Sequence, residues 1–275
     1  MPNNIETEAQ DGLAEADKRP VRSIRGIPLR AFAPNAVTAL ALCCGLTSVR
    51  FAFDGLWDVA LALIAAAGML DGIDGRIARL LKANTRFGAE LDSLSDVIAF
   101  GAAPAFTIYF WSLSDAPKFG WTAALSLTVA CALRLARFNA AIDAEDQPHK
   151  SAGFNTGVPA PMGAALALIP LAAWLVTDHD IFRAWYVTMP WVIFVAFLMI
   201  SSTATYAWSG VRVRREWRLI GIALIALLGS SLVSAPWLTL LALTLLYLVS
   251  IPFSMIAYGR VKRRRRLAAG SAQAG

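Results

Sequence analysis

Charged residues are scarce in this chain of 275 residues, making up 16% of the sequence, while hydrophobic residues make up 57%. A soluble domain has about 25% charged and about 45–50% apolar residues. The scarcity of charge argues against a disordered chain, a collagen-like repeat and an ordinary soluble enzyme. It favours an integral membrane protein, and at roughly 20 residues per spanning helix the chain has room for about eight spans.

Histidine and cysteine are scarce as well. The two histidines, His149 and His179, stand in polar connections away from the acidic motif described below, which argues against histidine-based catalysis or metal ligation. The three cysteines, Cys43, Cys44 and Cys131, lie in apolar runs without the C-x-x-C spacing of a metal site. Adjacent cysteines do not form an unstrained disulfide, so all three are interpreted as small buried apolar residues.

The N-terminal segment contains no apolar run of the kind found in a signal peptide. Residues 1–20 are polar and acidic, and we expect a disordered tail. Residues 21–33 mix arginine with Ile, Leu and Phe, which predicts an amphipathic segment at the membrane surface; a plain linker is the alternative.

The remaining sequence predicts an all-α, polytopic membrane protein of about eight transmembrane helices. The membrane domain extends over residues 34–258 and is followed by a basic tail at 259–275. The predicted spans are 35–53, 57–81, 92–113, 121–141, 159–177, 185–206, 219–234 and 237–258.

Basic residues predict the orientation of these spans. With both termini in the cytoplasm, the basic loop 211–218 and the basic tail lie on the inner side, and only Arg50, Lys118 and Arg183 fall outside. A seven-span arrangement would place one of the two basic clusters outside. We therefore expect a multi-pass protein of the inner (cytoplasmic) membrane whose tail contacts anionic lipid head groups.

Four aspartates interrupt the second and third predicted spans: Asp71, Asp74, Asp92 and Asp96. Residues three and four apart lie within about 60° and 40° of each other on a helix, so each pair shares one face. A short link lets the two helices pack side by side, and the four carboxylates can converge. Such a cluster repels itself unless a hard divalent cation such as Mg²⁺, Mn²⁺ or Ca²⁺ is bound.

An alternative interpretation pairs these acids with Arg76, Arg79 and Arg86 in ordinary salt bridges. Small residues nevertheless stand beside the acids, since Gly72, Gly75 and Ala78 leave space for a ligand against the helix. Arg79 lies within reach of the same face, and its guanidinium suits a phosphate oxygen. The acids, the Arg79 guanidinium and the open space together indicate phosphoryl or phosphatidyl transfer.

The acidic motif resembles the signature of the CDP-alcohol phosphatidyltransferase family. The matching string is Asp71-x-x-Asp74-Gly75-x-x-Ala78-Arg79, eight residues, then Gly88-x-x-x-Asp92-x-x-x-Asp96. The resemblance extends over about residues 28–165 and includes the stretches 34–46, 91–105, 133–139 and 157–164. It implies an enzyme that displaces CMP from a CDP-linked lipid or alcohol with the help of a divalent metal.

The resemblance also implies roles for individual residues. Asp71, Asp74 and Asp92 would ligate the metal, which is Mg²⁺ or Mn²⁺ bound as two ions, and Asp96 would both touch metal and act as general base. Positions that match nucleotide contacts are Gly75, Ala78, Arg79 and Thr85, and those that match the lipid-nucleotide region are Pro34, Asn35 and Thr38. For Asn35 a helix N-cap is an equal alternative. The family also implies a homodimer.

Within the family the chain is most similar to the branch that transfers the phosphatidyl group of CDP-diacylglycerol to L-serine. A serine carboxylate requires a cation, and Arg134, Arg137 and Asn139 are the nearest candidates. Arginines that reach for lipid phosphates are the alternative. Glycerol 3-phosphate, inositol phosphate or choline remain alternative acceptors, and an ion-coupled transporter is a more distant hypothesis. We expect no nucleic-acid partner.

Overall fold

The computed structural model describes residues 29–81, 85–140, 154–201, 204–206 and 218–273. The predicted polar tail at 1–20, most of the amphipathic segment at 21–33 and the basic loop at 211–217 lie outside the described residues. The described part is mainly helical. Its α-helices, numbered along the chain, are α1 (Leu29–Phe53), α2 (Trp57–Leu80), α3 (Arg86–Asp96), α4 (Ala103–Trp111), α5 (Gly120–Ala140), α6 (Ala160–Ala167), α7 (Ile169–Thr177), α8 (Trp185–Ile200), α9 (Arg218–Ser234) and α10 (Pro236–Gln273).

Each of the predicted apolar segments contains helix, but two of them are interrupted. The third consists of α3, a π-helical turn at Val97–Ala102, and α4. The fifth consists of α6 and α7, which meet at an angle of 45°. Pro170 stands in the first turn of α7, where its ring and missing N–H prevent the two helices from forming one straight rod.

A short antiparallel pair of strands accompanies the helices. Strand β1 (Phe154–Thr156) pairs with β2 (Ala204–Tyr206), with Asn155 opposite Thr205. The predicted span at 185–206 is therefore too long, because α8 ends at Ile200 and the chain is extended at Ser201. Gly157 follows β1 with φ of +76°, a conformation that glycine adopts without strain and that turns the chain into α6.

The described helices support a multi-pass membrane protein. Four helical stretches are long and apolar enough to cross a bilayer: Phe32–Phe53, Arg86–Trp111, Gly120–Ala140 and Pro236–Gly259. The bent pair α6–α7 makes a fifth if it counts as one span, while α8 and α9 are apolar but shorter. The count of eight spans stays a prediction.

Small residues form the inward face of α1. The face includes Thr38, Ala41, Gly45, Ser48 and Ala52, each buried and separated from the next by three or four residues. Small side chains let the backbones of membrane helices approach closely, and α1 packs in this way along α2, α3 and α4.

The interpretation of the cysteines is only partly confirmed. Cys131 is buried in α5, but Cys43 is exposed and Cys44 is half-exposed on α1. In a membrane helix an apolar side chain need not be buried in protein, because lipid tails are as apolar as the core.

Candidate active site

The four aspartates of the sequence motif lie on two neighbouring helices. Asp71 and Asp74 are in the last turns of α2, and Asp92 and Asp96 are in α3. One carboxylate oxygen from each of Asp71, Asp74 and Asp92 lies within 4.8 Å of the other two. Asp96 is outside this trio but contacts Asp71 through its side chain. The convergence expected from helix geometry is therefore present.

The donor set fits a hard divalent cation. Carboxylates this close repel one another unless a cation or a proton lies between them. Within the part of the chain that the structure describes, the only salt bridge joins Arg50 to Asp54, at the other end of α1. The alternative in which Arg76, Arg79 and Arg86 neutralise the acids as salt bridges is therefore wrong for the described residues. Mg²⁺ and Mn²⁺ prefer oxygen ligands, and these three carboxylates supply them.

Asp74 is held in place by α1. Asp74 is 5% exposed, and the Thr38 hydroxyl donates a hydrogen bond of 2.6 Å to its Oδ2. The carbonyl oxygen of Thr38 in turn accepts a hydrogen bond of 3.3 Å from the Ser95 hydroxyl of α3. A single residue of α1 thus connects the two helices that carry the acids.

A cleft of about 210 Å³ opens beside the acids. Most of the residues predicted to contact the nucleotide line it, and the full lining is Pro34, Asn35, Thr38, Asp74, Gly75, Ala78, Thr85, Gly88, Ala89 and Asp92. A Cβ atom built on Gly75 would meet nothing within 4 Å, so the cleft remains open against the backbone of α2.

Two polar residues at the cleft have structural roles as well. The Thr85 hydroxyl accepts a hydrogen bond of 3.0 Å from the Gly88 N–H and so caps α3. A Cβ atom on Gly88 would lie 2.9 Å from Asn35 Oδ1, so a larger residue there would displace the Asn35 side chain. Asn35 lies within α1, which begins at Leu29, so the N-cap interpretation of Asn35 is wrong.

Arg79 lies on α2 near the cleft but does not line it. Its Nε donates a hydrogen bond of 3.0 Å to the Gly75 carbonyl one turn earlier. Its side chain is exposed.

The three residues predicted to bind the acceptor have different surroundings. Arg137 donates hydrogen bonds of 2.8 Å to the Ile200 carbonyl and 3.3 Å to the Ser201 carbonyl, so it caps the C-terminal end of α8. The Asn139 amide donates a hydrogen bond of 2.9 Å to Ser93 Oγ. These two contacts connect α5 with its neighbours.

Arg134 is the member of this set that faces the acids. Its Nε is buried without a hydrogen-bond partner among the described residues, and the guanidinium interacts electrostatically with Asp71 and Asp96. Tyr247 of α10 lies close enough to interact with Arg134 as well. Sequence reasoning missed Tyr247, because α10 carries several other hydroxyl side chains and this one gives no distinct signal.

Comparison with known proteins identifies the family to which the chain belongs. The profile of the CDP-alcohol phosphatidyltransferase family matches residues 31–200, and a second profile, CDP-alcohol phosphatidyltransferase 2, matches residues 216–252. The chain therefore belongs to the CDP-alcohol phosphatidyltransferase family, and the resemblance stated from the motif is confirmed.

Individual relatives narrow the comparison. The CDP-diacylglycerol–serine O-phosphatidyltransferase of Mycobacterium leprae is 40% identical over 234 residues, which covers 85% of this chain and 77% of the relative. The Helicobacter pylori protein of the same name is 37% identical over 142 residues, or 52% of this chain and 57% of the relative. The archaetidylserine synthase of Methanothermobacter thermautotrophicus is 36% identical over 137 residues, covering 48% and 54%.

Proposed function

We propose that this chain is an enzyme that transfers the phosphatidyl group of CDP-diacylglycerol to the hydroxyl of L-serine, giving phosphatidylserine and CMP in phospholipid biosynthesis. The observation that carries the proposal is the aspartate trio beside an open cleft, in a chain whose relatives are named for this reaction. The apolar helices suit a lipid substrate, since its acyl chains stay in the bilayer while its head group enters the cleft.

Asp71, Asp74 and Asp92 would hold the divalent metal, Mg²⁺ or Mn²⁺, and Asp96 borders the same site. A metal held there would supply positive charge to neutralise the diphosphate and the departing CMP. Thr38 keeps the buried Asp74 carboxylate in its ligating orientation.

The nucleotide end of the substrate occupies the cleft between α1, α2 and α3. Gly75 and Ala78 admit it against the α2 backbone, and Pro34, Asn35 and Thr85 border the opposite side. Arg79, exposed beside the cleft, supplies a guanidinium to a phosphate oxygen.

Asp96 acts as the general base. The serine hydroxyl is a weak nucleophile until a carboxylate takes its proton. The serine oxygen then forms a bond to the phosphatidyl phosphorus, the bond from that phosphorus to the CMP oxygen breaks, and the proton remains on Asp96. Arg134, next to Asp96, binds the serine carboxylate. Arg137 and Asn139 shape this side of the site through their contacts with α8 and α3.

We further propose the arrangement in the membrane. The eight predicted segments span the inner (cytoplasmic) membrane with both termini in the cytoplasm, preceded by the tail 1–20 and the surface segment 21–33. Support comes from the helices found in each segment and from the basic residues at 211–218 and 259–275. The tail binds anionic lipid head groups, and the enzyme works as a homodimer.

The test is release of CMP by the purified enzyme from CDP-diacylglycerol and labelled L-serine. Asp96→Asn is expected to abolish turnover while CDP-diacylglycerol still binds, and the matched control Asp54→Asn, at the far end of α1, should remain active. Turnover by Asp96→Asn would overturn the base role. Labelled glycerol 3-phosphate, inositol phosphate or choline as the productive acceptor would overturn the choice of serine, and ion flux without CMP release would indicate a transporter.

A further inference from the structure

The helix that carries Asp92 and Asp96 changes its winding directly after Asp96. Residues Val97–Ala102 form a π-helical turn, and the N–H of Ala103 bonds to the Ile98 carbonyl five residues earlier. π turns are rare and are found mostly as single turns at functional sites. The turn begins at the residue that the proposed reaction uses as its base.

The π turn changes the direction in which Asp96 faces. In an α-helix Asp96 would stand above Phe100, but in a π turn it stands above the residue five positions later, Gly101. Gly101 faces α5, because a Cβ atom built on it would lie 3.0 Å from Cys131 Cβ. Asp96 is therefore directed toward α5, where Arg134 lies one turn beyond Cys131.

On one side, α1 passes the π turn at backbone contact. A Cβ atom on Gly45 would lie 2.7 Å from Ala99 Cα and 2.9 Å from Ala99 Cβ. Real Cβ atoms essentially never lie this close to carbon atoms of another helix, and the backbone of the turn has no flexible end to move aside. Any residue larger than glycine at position 45 must push α1 and the π turn apart.

On the other side, α5 binds carbonyl groups of the turn. The Thr128 hydroxyl donates a hydrogen bond of 3.3 Å to the Gly101 carbonyl. The Cys131 thiol lies 3.9 Å from the Asp96 carbonyl as a weak donor. A π turn disturbs the regular backbone ladder, so side-chain donors from a neighbouring helix stabilise it.

We propose that the π turn at Val97–Ala102, held between Gly45 of α1 and Thr128 of α5, directs the Asp96 carboxylate toward the acceptor, and that Gly45 and Thr128 are positioning residues for the transfer. The proposal rests on the proposed role of Asp96 as general base. A displacement of about 1 Å at a reacting group can cost about 100-fold in rate.

The experiment compares Thr128→Val and Gly45→Ala with the unaltered enzyme in CMP release. We expect kcat to fall about 10-fold in Thr128→Val, because one hydrogen bond at the turn is lost. In Gly45→Ala we expect a fall of about 100-fold, because the turn is displaced. The KM for CDP-diacylglycerol of Thr128→Val should not change, and its melting temperature should fall by no more than the loss of one hydrogen bond explains. Thr128→Ser, which keeps the hydroxyl, should restore kcat.

Matched controls are Thr47→Val, whose hydroxyl bonds within its own helix to Cys43, and Gly229→Ala, where a Cβ atom meets nothing within 4 Å. Both should keep full activity. A normal kcat in Thr128→Val, or a loss that Thr128→Ser shares, overturns the proposal. If Gly45→Ala does not fold, the Thr128 pair decides alone. Turnover by Asp96→Asn would instead contradict the base role, so the two failures are distinguishable.

Discussion

Removal of the Thr38 hydroxyl should weaken metal binding without changing the shape of the site. Thr38→Val keeps the volume of the side chain and deletes the hydrogen bond of 2.6 Å to Asp74 Oδ2. Both residues are 5% exposed, and the added valine methyl group occupies the place of the lost hydroxyl. Asp74 then keeps its negative charge but loses the donor that sets its orientation.

The size of the effect on metal binding follows from the negative charge of the Asp74 carboxylate, which accepts the hydrogen bond. A hydrogen bond to a charged group contributes about 1.5–3 kcal/mol, and loss of a partner that orients a metal ligand costs about 10- to 100-fold in metal affinity or activity. We therefore expect the Mg²⁺ concentration for half-maximal CMP release to rise about 10- to 100-fold in Thr38→Val. At saturating Mg²⁺ most of the activity should return, because the ligands themselves remain.

The assay is CMP release by the purified enzyme, titrated with Mg²⁺ at fixed CDP-diacylglycerol and serine. Thr38→Ser should behave like the unaltered enzyme, and Thr47→Val is the control for a threonine hydroxyl lost elsewhere on α1. An unchanged Mg²⁺ requirement together with a raised KM for CDP-diacylglycerol would refute the reasoning. That result would mean that Thr38 acts as a direct nucleotide contact, as the sequence motif alone suggested.

Three further predictions concern acceptor binding, the packing of α8 and the metal. Arg134→Ala should raise the KM for serine about 10-fold or more with little change in the KM for CDP-diacylglycerol, because a charged hydrogen bond is lost; equal loss for both substrates would contradict a role in acceptor binding. Arg137→Ala should instead lower the melting temperature, because it removes the hydrogen bonds to the end of α8. A chelator should abolish CMP release, and added Mg²⁺ or Mn²⁺ should restore it; activity that persists after complete chelation would contradict the metal site.

The convergence of the acids could be predicted because it depends on local geometry. Asp71 and Asp74 share a face of one helix, Asp92 and Asp96 share a face of the next, and only a short link separates the helices. The same reasoning predicted the cleft, since small residues beside the acids leave open space. Both inferences need only the helical period and the length of a connection.

Features that depend on packing between distant segments could not be predicted. Arg137 lies in the same apolar segment as Arg134, and only the position of α8 makes it a cap. The strand pair joins residues about fifty positions apart, for which no local pattern gives a signal. Asn35 looked like an N-cap because α1 was expected to begin near it, but the helix continues back to Leu29 through Pro34.

The site depends on α1 more than the motif suggests, because the motif lies entirely on α2 and α3. Thr38 holds Asp74 through its hydroxyl and α3 through its carbonyl, and Gly45, two turns further along, sets how closely α1 approaches the π turn. The metal ligand Asp74 and the proposed base Asp96 are thus positioned against one rigid helix. A shift of α1 along its axis would move both contacts together, so the distance between the metal and the base is maintained by the small residues on the inward face of α1.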